Sequence, residues 1–277
     1  MTNRLSYLGP KGTYSEQAAI QYDNSAILVA RSTIPLAADA INSDAADEAI
    51  VPIENSLGGA VVETLDLLIH QSGLLIKNEI ALPIRHCLMA SPGTERSEIR
   101  KIYSHPQSLS QCRQYLSRHF PECQLVASLS NSAAVEEMNG DRYSAAIAGS
   151  RAAALYNANI LEENVEDNPT NATRFVVLSK NDHYPTGTDK TSICFEFHDD
   201  APGILVTALG EFSSKGINLN KIESRPNRLV LGRYIFLVDI DGHRSDDIVR
   251  ETLSAVEGHV SSMKILGSYP KQISSSI

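Results

Sequence analysis

The first 180 residues repeat one local pattern: a short apolar strand, a small polar loop, then a helix. Residues 5–8 run into Gly9-Pro10-Lys11-Gly12-Thr13, and a helix starts at Tyr14. Thr13 and Glu16 have capping-box spacing, so the threonine hydroxyl is expected to satisfy a helix amide. Ala49-Ile50-Val51 leads into Pro52-Ile53-Glu54-Asn55-Ser56-Leu57-Gly58-Gly59, after which apolar residues at 61, 62, 65, 68 and 69 follow helical spacing. Ile102-Tyr103 runs into Ser104-His105-Pro106-Gln107 and a helix over 108–119. Residues 125–127 precede a polar loop and a helix to about 140, and residues 145–148 precede Gly149-Ser150 and an Ala-rich helix. Strands alternating with helices imply βαβ units and mainly parallel sheets.

Residues 74–90 are apolar-rich and contain Pro83, which reads as extended chain crossing from one α/β lobe to a second. Residues 173–179 supply the return, placing Asn171-Ala172-Thr173-Arg174-Phe175 at the hinge. Lobe 1 is then about 1–76 and 168–180, and lobe 2 about 77–167. Polar loops at the carboxyl ends of parallel strands are where open α/β folds hold ligands, and helix N-termini suit an anion. A cleft for a small carboxylate follows. Residues 181–190, polar with Pro185 and Gly187, read as a linker. Beyond it the order becomes strand 191–197, helix 203–214, strand 218–225, strand 229–239, helix 245–256 and strand 259–266. That is a ferredoxin-like βαββαβ domain over 191–270, and residues 274–277 are expected to fray.

Composition narrows the function. The 277 residues are 42% hydrophobic and 21% charged, as in an ordinary globular protein. Lys and Arg number 24 against 33 Asp and Glu, a net charge of -9. That balance argues against nucleic acid and against an anionic membrane surface, and leaves any anion site to rely on local donors. No apolar run reaches membrane-spanning length, and the opening residues enter a strand without a signal-peptide core. Cys87, Cys112, Cys123 and Cys194 have no Cys-x-x-Cys spacing, so reduced thiols and a cytoplasmic location are expected.

Leu8-Gly9-Pro10-Lys11-Gly12-Thr13-Tyr14-Ser15, Pro52-Ile53-Glu54-Asn55-Ser56, Ser104-His105-Pro106-Gln107 with Gln111-Cys112, and Thr173-Arg174-Phe175 together resemble the prephenate dehydratase family. The C-terminal part resembles that family's ACT regulatory domain, with Glu223-Ser224-Arg225-Pro226 as its signature. The resemblance implies an α/β fold: a two-lobed, periplasmic-binding-protein-like catalytic domain over 1–180 with an interlobe cleft, followed by the ACT domain. It implies a lyase that converts prephenate to phenylpyruvate, carbon dioxide and water in L-phenylalanine biosynthesis. No redox change occurs, so no cofactor and no metal are expected, in keeping with the lack of a Gly-x-Gly-x-x-Gly fingerprint. With no room for a chorismate mutase domain before residue 4, a monofunctional enzyme is expected, as a homodimer through the ACT domain or a homotetramer.

The resemblance makes Thr173, Arg174, Phe175, Asn55, Ser56, Gln111 and Ser104 the catalytic set. Thr173 stands beside the leaving hydroxyl as a proton donor or relay; its plain alternative is a β-branched residue starting a strand. Arg174 offers a planar fork to a substrate carboxylate, or else an ion pair at the hinge. Phe175 reads as core packing that orients the pair before it, with a place in the cleft lining as the alternative. Asn55 and Ser56 present an amide and a hydroxyl to an anion, roles compatible with helix capping. Glu54 is a proton source if buried and otherwise salt-bridged. Gln107 and Gln111 share one helix face, with Ser104 just before it. His105 is either a general acid or a loop anchor, and Thr13 and Ser15 either only start a helix or contact substrate as well. L-phenylalanine is the implied inhibitor, bound between two ACT copies by Glu223, Ser224, Arg225, Pro226, Asn218 and the segment Gly203-Ile204-Leu205-Val206. There Ile204 stands where the family usually has alanine. Two rival readings remain at this point: a two-lobed solute-binding or sensor protein without chemistry, and an arogenate dehydratase.

Overall fold

The computed structural model describes residues 2–199, 201–227, 230 and 232–272. Positions 229 and 231 of the strand expected at 229–239 and the terminal residues 274–277 lie outside them. The chain forms two compact units, one of residues 2–61 with 80–175, the other of residues 62–79 with 176–272.

The first unit opens with β1 (Arg4–Leu8), α1 (Tyr14–Tyr22), β2 (Ile27–Arg31), α2 (Ile34–Asn42), β3 (Glu48–Asn55) and the short β4 (Gly59–Ala60). β1 lies between β2 and β3, parallel to both. Ala49, Ile50 and Val51 of β3 are wholly buried, as the interior strand of a parallel sheet requires. α2 buries Ile34, Ala37, Ala38 and Ile41, one apolar stripe, and Thr33 caps it by accepting from Leu36 N at 3.2 Å. Glu54 pairs with Ala60 across the turn that joins β3 to β4, so residues 55–59 form a closed loop.

The chain continues through α3 (Val62–Asp66), one π-helical turn at Leu67–Gln71, and β5 (Leu75–Pro83). A second sheet follows: β6 (Cys87–Ala90), β7 (Lys101–Ser104), α4 (Pro106–Gln111), α5 (Arg113–His119), β8 (Gln124–Ala127), α6 (Asn131–Asn139), β9 (Ser144–Ala148), α7 (Ser150–Tyr156) and β10 (Asn159–Glu163). Its strand order is β10-β6-β9-β7-β8. β7 is parallel to β8 and β9, whereas β6, reached by extended chain rather than a crossover helix, is antiparallel to β9. Alternate residues face opposite cores: Leu88, Ala145 and Ile147 meet Leu116, and Met89, Ala146 and Ala148 meet Val135 and Met138.

The single helix expected over 108–119 is broken at Cys112, whose φ and ψ are −114° and 19°. The cause is Asp167, which accepts from Gln114 N and Tyr115 N at 2.9 and 3.1 Å and so caps a new helix. β11 (Ala172–Ser179) returns to the first sheet, giving the order β2-β1-β3-β11-β5, with β4 paired to β3.

The second unit contains β12 (Asp189–Glu196), α8 (Ile204–Ser214), β13 (Leu219–Pro226), β14 (Tyr234–Asp241), α9 (Asp247–Glu257) and β15 (Ser262–Pro270). This is the βαββαβ order read from sequence, with an antiparallel sheet ordered β13-β14-β12-β15. Ile193, Phe195, Val238 and Ile240 pack against Phe212, Val249, Leu253 and Val256. Residues 62–79 belong to this unit through four attachments. Asp66 meets Arg225 at 3.0 Å, Glu79 meets Lys190 at 2.9 Å, Lys264 Nζ donates to Leu68 O and Ser72 O, and Gly267 lies against the Ile76 backbone. The lysine thereby takes up carbonyls that a helix C-terminus leaves open. No helix among the described residues is long and apolar enough to cross a membrane.

Candidate active site

A cleft of about 890 Å³ opens in the first unit. Its walls are the loop ends after β1, β3, β7 and β8 and the start of β11, the position where parallel α/β sheets gather ligand groups. Asn55, Gln111, Thr173 and Phe175 of the sequence-derived set line it, as do Thr13, Ser15, His105 and Gln107. Phe175 is also core, at 2% exposure. Ser56, Ser104 and Arg174 lie outside the lining.

Each of those three has other work. Ser104 is fully buried and donates to Ile147 O at 2.7 Å, with Asn131 Oδ1 at 3.1 Å. It anchors Asn131, which does line the cleft. Ser56 N donates to Ala172 O at 2.9 Å and Ser56 Oγ accepts from Ala172 N at 3.0 Å, which fastens the β3 loop to β11. Arg174 stands 3.8 Å from Glu54, so the ion-pair alternative for both residues is the arrangement present.

Asn55 organises the loop. Its Oδ1 accepts from Leu57 N and Gly58 N at 3.1 and 2.8 Å, an Asx turn that closes the β3–β4 connection. Backbone amides only donate, so the other side of that carboxamide is Nδ2. It donates to Thr173 Oγ1 at 2.9 Å and to Asn171 Oδ1 at 2.9 Å. Thr173 thus receives a hydrogen bond and keeps its own proton for the cleft. Gln111 Oε1 accepts from Asn171 Nδ2 at 3.0 Å and faces His86 Nε2 at 2.9 Å, while His86 Nδ1 lies 2.9 Å from Tyr14 OH. Burial lowers the His86 pKa despite Gln111 and Glu166, and burial likewise raises that of Tyr14.

His105 Nδ1 accepts from Gln107 N at 3.3 Å, capping α4, and burial lowers its pKa. Both features suit the anchoring alternative. Gly58 approaches Gln107 so closely that a Cβ there would sit 2.8 Å from the amide nitrogen, bringing the β3 loop and α4 together over the cleft. Thr13 Oγ1 accepts from Glu16 N, but the return half of the capping box is missing. Glu16 instead accepts from Gly12 N at 2.8 Å and from Arg151 Nε at 2.6 Å. Among the described lining residues Arg31 has the fixed positive charge. Arg31 and His86 were missed by the sequence reading, where Asn131 reads only as a helix-capping residue. Tyr14, inside the Leu8–Ser15 motif, and Asn171, beside the Thr-Arg-Phe motif, carried a signal without being singled out.

In the second unit, Lys221, Glu223 and Arg225 project to the half-buried side of β13, and Ile222, Ser224 and Pro226 to the exposed side. Glu223 pairs with Lys221 at 3.1 Å. Gly203 starts α8 at φ 87°, Ile204 and Leu205 are half-buried, Val206 is 73% exposed, and Asn218 is exposed and bonded to Asp241.

Comparison with known proteins bears on this arrangement. The family model described as prephenate dehydratase matches residues 5–183, and the ACT domain model matches residues 195–258. A bifunctional chorismate mutase/prephenate dehydratase from Stutzerimonas stutzeri is 39% identical over 271 residues, covering 98% of this chain and 74% of that relative. The solved structure of prephenate dehydratase from Arthrobacter aurescens in complex with L-Phe is 36% identical, with a TM-score of 0.89 over 97% of this chain and 90% of the other. A structure described as GqqA, a quorum quenching acylase, is 28% identical, with a TM-score of 0.87 over 97% and 98% of the two chains. The chain belongs to the prephenate dehydratase family, lyases that here carry an ACT domain in the C-terminal part.

Proposed function

We propose that the cleft converts prephenate to phenylpyruvate, with residues 1–180 carrying catalysis and 191–270 its regulation. The observation that carries this reading is the direction of the Asn55–Thr173 hydrogen bond, which leaves the threonine proton as the donor. The ring hydroxyl leaves with that proton as water, while the bond from the ring to its carboxylate breaks and its electron pair enters the aromatising ring. Carbon dioxide departs, and the Asn55 amide stabilises the threonine oxygen until solvent restores its proton. Gln111 and Arg31 face the substrate's carboxylates, and Phe175 supplies an apolar wall where the departing carboxylate is poorly solvated.

Amide hydrolysis of the acylase kind calls for a nucleophile paired with a base. Thr173 meets an amide instead, and His86 faces Gln111 and Tyr14, so the donors favour dehydration.

The enzyme acts in the cytoplasm on this reading. L-phenylalanine inhibits it by binding between the ACT parts of two copies at Glu223–Pro226 and Gly203–Val206, in a homodimer or a homotetramer. The L-Phe complex of the Arthrobacter relative supports L-phenylalanine as the ligand. The deciding experiment mixes pure protein with prephenate or arogenate and follows phenylpyruvate absorbance or phenylalanine formation. Rapid phenylpyruvate formation, suppressed by L-phenylalanine, is the expected outcome. Failure to turn over prephenate refutes the substrate assignment, and indifference to L-phenylalanine refutes the regulatory one.

A further inference from the structure

Hydrogen-bond direction can be followed from the backbone to His86 without choosing any amide orientation freely. Leu57 N and Gly58 N force Asn55 Oδ1 to be the acceptor, so Asn55 Nδ2 faces Asn171. Ala172 N donates to Ser56 Oγ, whose proton is then available to the same Asn171 oxygen at 3.5 Å. Two donors converge there, so that atom is Oδ1 and Asn171 Nδ2 points to Gln111. Gln111 must answer with Oε1. The ring nitrogen of His86 that meets this oxygen at 2.9 Å therefore carries a proton.

We infer that His86 is a positioning residue: its Nε2–H, with Asn171 Nδ2, fills both lone pairs of Gln111 Oε1 and turns the Gln111 amide nitrogen into the cleft as a double donor for the substrate. The inference rests on the reading that Gln111 contacts substrate. His86 is held for this role on all sides. It is 1% exposed, its backbone N donates to Glu166 Oε2 at 2.8 Å, and Tyr14 OH covers Nδ1 at 2.9 Å with its ring edge-on to the imidazole. Tyr14 OH has a single proton, shared between Arg85 O at 2.7 Å and the bare Nδ1 that a neutral Nε2–H ring presents. A glutamine without these two donors would present its oxygen to an anion as readily as its nitrogen, and lose the attraction.

The test combines kinetics with spectroscopy. His86→Ala is expected to raise KM for prephenate about 10-fold while kcat stays within about twofold, because the lost interaction is made in ground and transition states alike. In a Gln111→Ala background the same substitution should change nothing further, since its target is gone. Effects that multiply in the double variant overturn the inference, as does a loss confined to kcat. Nitrogen-15 NMR of histidine-labelled, substrate-free wild-type protein supplies an arm independent of variant folding and of the substrate assignment. It should show neutral His86 as the Nε2–H tautomer, and an Nδ1–H tautomer refutes the role even if prephenate is turned over normally.

Discussion

The hydroxyl of Thr173 has one proton and two lone pairs, and the Asn55 amide occupies its acceptor side at 2.9 Å. Removing the hydroxyl removes the donor and little else, because the residue sits half-buried at the start of β11. Thr173→Ala should lower kcat by roughly 10²–10⁴-fold, the usual contribution of a positioned acid, while KM and the melting temperature stay close to wild type. Asn55→Asp tests the direction of the bond. The aspartate still accepts from Leu57 N and Gly58 N, so the turn persists, but its second oxygen draws the threonine proton inward and repels a dianionic substrate. Turnover should fall nearly as far as in Thr173→Ala, with KM raised as well; wild-type kinetics would remove Asn55 from the mechanism. Asn55, Gln111 and Thr173 were legible in the sequence because each belongs to a distinctive motif, at the end of β3, the end of α4 and the start of β11. His86 and Asn131 were not. Their meaning lies in partners brought close by folding, such as Tyr14 at a separation of 72 positions from His86, and no local spacing announces that.

Between α1 and α7 the same lesson concerns whole elements. The Thr13–Glu16 spacing was read as a local cap, yet the Glu16 carboxylate turns to Gly12 N and Arg151, so a local signal served a long-range purpose. Gly12 is required there, since its φ is +84° and a Cβ would lie 2.6 Å from Ser132 Oγ. The helix break at Cys112 has the same origin: the capping carboxylate comes from Asp167, far along the chain, and periodicity alone ran the helix through. Burial would raise the pKa of Glu16, but the Arg151 and Gly12 hydrogen bonds outweigh it, and the net shift is downward from 4.5. A carboxyl with a depressed native pKa stabilises the fold fully above its unfolded value, and that share is lost as the pH falls through the native value. Glu16→Gln should therefore melt below wild type at neutral pH, and the two melting curves should converge as the pH drops below 4.5. A gap that stays constant to acid pH would show that the charge of Glu16 contributes nothing.

For the molecule as a whole, the change of grammar near residue 190 was visible in sequence, because βαββαβ order is written in local periodicity. The membership of residues 62–79 was not. Their helical spacing resembles that of the units before them, and only tertiary contacts attach them to the later sheet. Asp66, Leu68, Ser72 and Glu79 meet Arg225, Lys264 and Lys190 from β13, β15 and β12. Arg225, expected from the signature motif at the effector site, thus spends its guanidinium on α3. The closest approach is made by backbone rather than charge. β15 bulges between Ile265 and Gly267 in its pairing with β12, and a Cβ at Gly267 would fall 2.2 Å from Ile76 O and 2.6 Å from Ile76 N. Its φ of +143° disfavours a side chain as well. Gly267→Ala must therefore push the segment away or flatten the bulge, at a cost of about 1–3 kcal/mol, read as a melting temperature lower by several degrees. Because α3 continues directly from the cleft-lining loop at Val61, that displacement should also raise KM for prephenate, whereas Gly187→Ala, also at a positive φ (+87°) but with open space around it, should lose stability without affecting KM. Equal kinetics in the two variants would mean that residues 62–79 can shift without the loop registering it.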